Sequence, residues 1–165
     1  TGVSPERMIF IDDYIDPQSV RIADLSAVTA IFPKAGEEEK IYQAFIAKPH
    51  PHLKVYRKSE VPMRFHYQAS RRISPVVLVA DEGWSISTRN FFEGIKAKNA
   101  GGAHGYDNQL PSMRALFIAH GQGFKQATTV EPFENVHLYE LMCHLLSLTP
   151  APNDGSLDSI RGVLK

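Results

Sequence analysis

Val76-Val77-Leu78-Val79 is an unbroken aliphatic run between Pro75 and Ala80, with Asp81-Glu82-Gly83 after it. A short apolar run bounded by turn residues is a buried strand, and it commits the chain to a sheet. The flanking sequence supplies partners. Strands are expected over 7–15, 19–24 and 28–32, over 53–57, where apolar and polar residues alternate, and over 64–67. Trp84 to Thr88 alternates as a hairpin partner of the buried strand. Glu37-Glu38-Glu39 opens a helix running to about Lys48. Three acids suit the positive end of its dipole, and Ile41, Ala44 and Phe45 make one apolar face. Pro49 and Pro51 stop it. Short strands around a helix predict an α+β fold with a mixed or antiparallel sheet and helices packed on it.

The remainder reads differently. Residues 90–100 are ambiguous between regular structure and a loop, with Phe91, Phe92 and Ile95 as candidate loop anchors. Ala115-Leu116-Phe117-Ile118-Ala119 predicts a second buried strand. Glu134 to Leu148 predicts a helix with Leu138, Leu141, Met142, Leu145 and Leu146 on its buried stripe. Pro150-Ala151-Pro152 breaks that helix. No internal repeat or low-complexity segment is present.

A chain of 165 residues is long enough to bury about 70% of its unfolded surface in one domain. Its 18 basic and 18 acidic residues cancel. Proteins that capture nucleic acid carry a positive excess or stripe, so no nucleic-acid partner is expected. No apolar run approaches the roughly 18 residues of a membrane span. The single cysteine, Cys143, lies in an apolar helix and reads as a buried thiol.

The segment most suited to chemistry is Gly101-Gly102-Ala103-His104-Gly105-Tyr106-Asp107-Asn108. Glycines on both sides of His104 let the backbone bend sharply. Imidazole titrates near neutrality and is the commonest metal ligand. His104 is therefore a candidate ligand or acid/base, against the alternative of a loop histidine bonded to backbone.

Further motifs follow in order. They are Met113 four residues before Phe117, Phe133-Glu134-Asn135-Val136-His137-Leu138-Tyr139, and Pro150-Ala151-Pro152-Asn153-Asp154-Gly155. Upstream lie Ile11-Asp12-Asp13-Tyr14, Arg64-Phe65-His66-Tyr67 and Leu78-Val79-Ala80-Asp81-Glu82-Gly83-Trp84. Together with the glycine loop, this set resembles the type I phosphodiesterase/nucleotide pyrophosphatase family of the alkaline phosphatase superfamily, over nearly the whole chain. The resemblance implies the C-terminal part of an α/β alkaline-phosphatase-like fold. Residues 1–90 would form a small α+β cap-like region and 91–165 would return to the phosphodiesterase core. It implies two zinc ions in the intact enzyme, which polarise the phosphoryl group and activate a threonine or serine nucleophile. His104 matches the family's last zinc ligand. Tyr106 and Asp107 are candidates for lining the pocket or orienting a nearby donor.

The family's other ligands come as Asp-x-x-x-His and Asp-His-Gly, and neither occurs here. No nucleophile turn is recognisable, so no catalytic residue is assigned. The chain is expected to be a C-terminal portion of a larger enzyme and inactive alone. Its partners would be the missing N-terminal part and a small nucleotide or phosphodiester, with a homo-oligomer as a further candidate. The resemblance points to the periplasm or secretion. The alternative is a non-catalytic α+β binding module.

Other groups invite a site and are read as structural. Asp12, Asp13 and Asp16 are taken as a solvated strand end, and His50 and His52 as an exposed turn. Arg71 and Arg72 can grip phosphate but are taken as loop residues, as is His120. The helical triplet His137, Glu140 and His144 is taken as a solvated face. If a partner half is missing, apolar side chains over 115–148 should be exposed.

Overall fold

The computed structural model describes residues 1–95 and 101–165, in two compact units, Thr1–Arg114 and Ala115–Lys165. Strands β1 (Gly2–Val3), β2 (Met8–Phe10), β3 (Arg21–Ala23), β4 (Val28–Phe32), β5 (Leu53–Arg57), β6 (Val76–Ala80), β7 (Ser85–Ser87) and β8 (Gly101–Gly102) belong to the first unit. So do helices α1 (Glu38–Ile46) and α2 (Arg89–Ile95). Helix α3 (Leu138–Leu145) belongs to the second.

The aliphatic run is β6, and every residue of it is buried. It lies inside a four-stranded antiparallel sheet of order β3-β4-β6-β5. Side chains alternate across a strand, and β6 is apolar on both faces. Val76, Leu78 and Ala80 meet Ile9, Ile11, Ile31, Ile86 and the α1 residues Ile41 and Phe45. Val77 and Val79 meet Val61 and Ile73, with Tyr56 and Phe65 at the margin. The expected α+β layer is therefore present, with α1 covering one face.

The expected hairpin between the buried strand and residues 84–88 does not form. Both edges of β6 are taken, by β4 and β5. The turn at Asp81–Trp84, with Gly83 at φ +81°, carries the chain away. Strand β7 then pairs in parallel with β2, Ile9 opposite Ile86. The strand expected over 7–15 is cut to Met8–Phe10 because Ile11–Asp13 turns as a 3-10 helix. The strand expected over 64–67 is also a turn. Phe65 and His66 donate their backbone N–H to the carbonyls of Pro62 and Met63, and His66 is left-handed at φ 47°. Arg89–Ile95 is helical rather than a loop; Phe92 is buried, with its ring 5.5 Å from that of Phe10. The rest of that ambiguous segment, 96–100, lies outside the described residues.

In the second unit, Leu141, Ile160, Val163 and Leu164 form a small core with Phe124, Val130 and Phe133. Cys143 is buried, as its apolar setting predicts. The strand expected over 115–119 is absent. A strand needs an edge to pair with, and among the described residues of this unit the only bridge joins Phe124 to Leu164. Leu116 and Ile118 are 85% and 78% exposed. Helix α3 is shorter than expected, with Asn135–His137 forming a 3-10 turn before it. Its predicted stripe is only half used. Leu141 is buried, while Met142, Leu145 and Leu146 are exposed, because the C-terminal tail covers a single side of the helix.

Candidate functional site

The glycine loop is held on both sides of His104. On the N-terminal side β8 pairs with β1, Gly102 opposite Gly2. The N–H of Ala103 donates to the carbonyl of Thr1 at 2.8 Å, and the amino group of Thr1 donates to the carbonyl of Ala103 at 3.0 Å. On the C-terminal side Tyr106 is buried and donates its hydroxyl to the carbonyl of Trp84 at 3.0 Å. Burial raises the Tyr106 phenol above its ordinary pKa, so the hydroxyl keeps its proton. Gly105, between His104 and this anchor, has φ +88°. That is a left-handed backbone natural to glycine. His104 is exposed between the two anchors.

Asp107 is clamped. The Arg64 guanidinium donates Nη1 to Oδ1 and Nη2 to Oδ2 of Asp107, both at 2.5 Å. Nη1 also reaches Asn108 Oδ1 at 3.0 Å. Oδ1 further accepts the N–H of Gln109 at 3.0 Å. Arginine at this carboxylate holds its pKa below the ordinary aspartate value. A planar fork on a carboxylate fixes orientation as well as charge. The structure thus pairs Asp107 with Arg64, and Tyr106 with the sheet region. Sequence reasoning missed Arg64, which lies 43 residues from its partner in a segment expected to be a strand.

A cavity of about 190 Å³ adjoins the clamp, lined by Lys54, Tyr56, Phe65, Asp81, Asp107 and Leu110. Ordinary ligand pockets hold about 300–1,000 Å³, so a nucleotide does not fit within it. A larger open hollow of about 640 Å³ touches Glu39, Arg57, Lys58 and Arg71. Two of its cations are engaged: Arg57 grips Glu39 and Glu60, and Lys58 donates to the carbonyl of Ser70.

Several of the remaining sequence candidates have structural tasks. Asp12 accepts the backbone N–H of Arg89, and Asp13 pairs with the Arg89 side chain. Asp16 caps a turn through the N–H of Gln18. His50 and His52 are not a bare exposed turn: His52 stacks on Trp84 at 4.4 Å and His50 meets the same indole edge-on at 5.1 Å. Burial lowers the His50 pKa. The face of α3 with His137 and Glu140 is also more than solvated. His137 Nδ1 accepts the N–H of Ser156, and Glu140 accepts from Asn153 Nδ2, which ties the tail to the helix. His120 is exposed in the second unit. Among the described residues no group of three or more His, Cys, Asp or Glu side chains could hold a metal ion. His104 is exposed on a loop held on both sides.

The family profile described as type I phosphodiesterase/nucleotide pyrophosphatase matches residues 1–107. The chain belongs to that family. It is 40% identical over 164 residues to human ectonucleotide pyrophosphatase/phosphodiesterase family member 5, covering 99% of this chain and 33% of the relative. It is also 40% identical to the bovine bis(5'-adenosyl)-triphosphatase, over 99% of this chain and 34% of that protein. The chain thus spans about a third of the length of the curated relatives it matches. Its structure is similar to that of the human ectonucleotide pyrophosphatase/phosphodiesterase 5, with a TM-score of 0.87 at 39% identity. That match covers all of this chain and 42% of the other. An inactive variant of the murine enzyme in complex with AMP gives a TM-score of 0.86 at 40% identity, covering 100% and 42%. The α+β architecture is accordingly that of part of an alkaline-phosphatase-like fold. Enzymes of this superfamily are generally metal-dependent. No helix among the described residues is long and apolar enough to cross a membrane.

Proposed function

We propose that this chain is the C-terminal part of a zinc-dependent phosphodiesterase/nucleotide pyrophosphatase, and that His104 supplies one zinc ligand. The observation that carries this reading is the loop itself. His104 is exposed between the Thr1–Ala103 pairing and the buried Tyr106, so an imidazole is presented from a backbone fixed on both sides. Zinc ions held there would supply charge to polarise phosphoryl oxygens and lower a nucleophile's pKa. The chain's own part is to hold the imidazole. The nucleophile and the other ligands would come from the N-terminal portion, which fits the share of the relatives that this chain spans. A catalytic zinc needs about three protein ligands, so the isolated chain should not turn over.

The substrate class proposed is a small nucleotide joined through a pyrophosphate or phosphodiester. Support comes from the relative named a bis(5'-adenosyl)-triphosphatase and from the AMP in the murine complex. A location outside the cytoplasm fits the relative named an ectonucleotide enzyme.

The test compares the 165-residue chain with the full-length protein, each with zinc and a chromogenic phosphodiester, beside His104→Ala. The expected result is turnover by the full-length protein alone, lost on substitution. Zinc-dependent turnover by the isolated chain would sink the fragment reading. Full-length turnover and zinc binding untouched by His104→Ala would sink the ligand assignment.

A further inference from the structure

We infer that Arg64 is a positioning residue for the metal-site loop: by gripping Asp107 it fixes where the His104 imidazole stands. The inference rests on the proposal that His104 binds zinc. The route from sheet to loop is short. Phe65 packs against the face of the main sheet that carries Val77 and Val79. The guanidinium of Arg64 lies 4.2 Å from the centre of the Phe65 ring, which restrains it as it reaches both oxygens of Asp107. Asp107 is three residues from His104, and Gly105 lies between them.

Gly105 at φ +88° has no Cβ to restrict its backbone, so the placing of His104 falls to the anchors around it. The neighbouring anchor at Tyr106 is a buried ring whose hydroxyl is neutral and bonds to the Trp84 carbonyl. The Arg64 fork adds two parallel charge-assisted bonds, with a third to Asn108. A fork constrains rotation as well as distance, which a lysine ammonium does not. The same guanidinium therefore decides how much of the loop's freedom reaches the ligand. Residues that orient metal ligands typically change metal affinity by 10–100-fold when altered.

The experiment measures zinc affinity of the full-length protein by competition with a chromogenic chelator, and the Tm of its metal-free form. The variants are Arg64→Gln, Arg64→Lys, Asp107→Asn and the exchange Arg64→Asp with Asp107→Arg. His104→Ala is the reference for ligand loss, and Leu78→Val controls for a general loss of stability. Arg64→Gln and Asp107→Asn should each weaken zinc binding about tenfold or more. Arg64→Lys should fall between them and the parent, and the exchange should recover part of the loss. If Arg64→Gln does not fold, Arg64→Lys and Asp107→Asn decide. Zinc affinity within twofold of the parent in those variants, with His104→Ala impaired, overturns the role of Arg64 and leaves His104 as a ligand. Equal loss in Leu78→Val at the same fall in Tm makes Arg64 merely structural and also overturns it. Unchanged zinc binding in His104→Ala refutes the ligand assignment on which the inference rests.

Discussion

Tyr106 donates its hydroxyl to the main-chain carbonyl of Trp84, 22 residues earlier in the chain, at 3.0 Å. Trp84 is where the chain leaves the turn after β6 and starts toward β7. This hydrogen bond ties the loop that carries His104 to the residue that leads into β7. Removing the hydroxyl by Tyr106→Phe keeps the buried ring and leaves the carbonyl without this donor. The expected cost is about 1 kcal/mol, read by urea denaturation. A neutral result would mean that the ring alone holds the loop.

Thr29 lies on β4 opposite Leu78 and is fully buried. Its hydroxyl oxygen finds no hydrogen-bond partner among the described residues. A buried hydroxyl without a partner pays its desolvation with no return. Thr29→Val replaces it with a methyl of nearly the same shape and keeps the β-branched backbone preference. We expect a gain of about 1 kcal/mol, seen as a higher denaturation midpoint with an unchanged slope. A loss would show that the hydroxyl has a partner in solution, such as an ordered water.

The fold was legible where one signal decided it. The run Val76–Val79 marks β6, and alternation marks β5 over Leu53–Arg57. The i, i+4 pair Ile41 and Phe45 marks the buried face of α1. Pairing was not legible, because it depends on which edges are vacant. Trp84–Thr88 has the pattern of a hairpin partner, and only the positions of β4 and β5 exclude that. Ala115–Ala119 reads as a strand since apolarity is its one local signal, and nothing local supplies an edge. At the glycine loop, spacing alone left His104 between a ligand and a backbone-bonded loop histidine, and only the family resemblance made it a ligand candidate. The Arg64 clamp left no trace in local pattern, because a salt bridge between distant segments has no periodicity.

The Arg57 pair makes a pH prediction. Its guanidinium donates to both oxygens of Glu39, at 2.7 and 2.9 Å, and to Glu60 at 2.8 Å. Hydrogen bonds from Arg57, then from Gln43, hold the Glu39 carboxyl down to about 2, against an ordinary 4.5. A depressed carboxyl stabilises the native state above its unfolded pKa. That contribution should therefore be complete above about pH 4.5 and fade as pH falls toward 2. Both groups are solvent-accessible, so salt should weaken the effect. Comparing the acid limb of the Tm profile for parent and Glu39→Gln, at low and high salt, tests this. A difference between the two that is constant from pH 7 to pH 2 would refute it.

The second unit predicts how the isolated chain behaves. Leu116, Ile118, Leu146, Leu148 and Met142 are each more than half exposed. Exposed large aliphatic side chains in such number on one small unit favour association. The excess has a sequence origin: α3 carries a wider apolar stripe than the tail behind Leu141 can cover. We expect the 165-residue protein to self-associate at micromolar concentration in sedimentation velocity, more so at higher salt, which favours apolar burial. Leu116→Glu with Leu146→Lys should return it to a monomer without lowering Tm, since neither side chain contributes to a core. Within the full-length protein the same pair of substitutions should be destabilising, because the remaining two thirds of a relative-sized enzyme would cover those positions. A monomeric isolated chain, or a full-length protein indifferent to both substitutions, would mean that these side chains face solvent throughout.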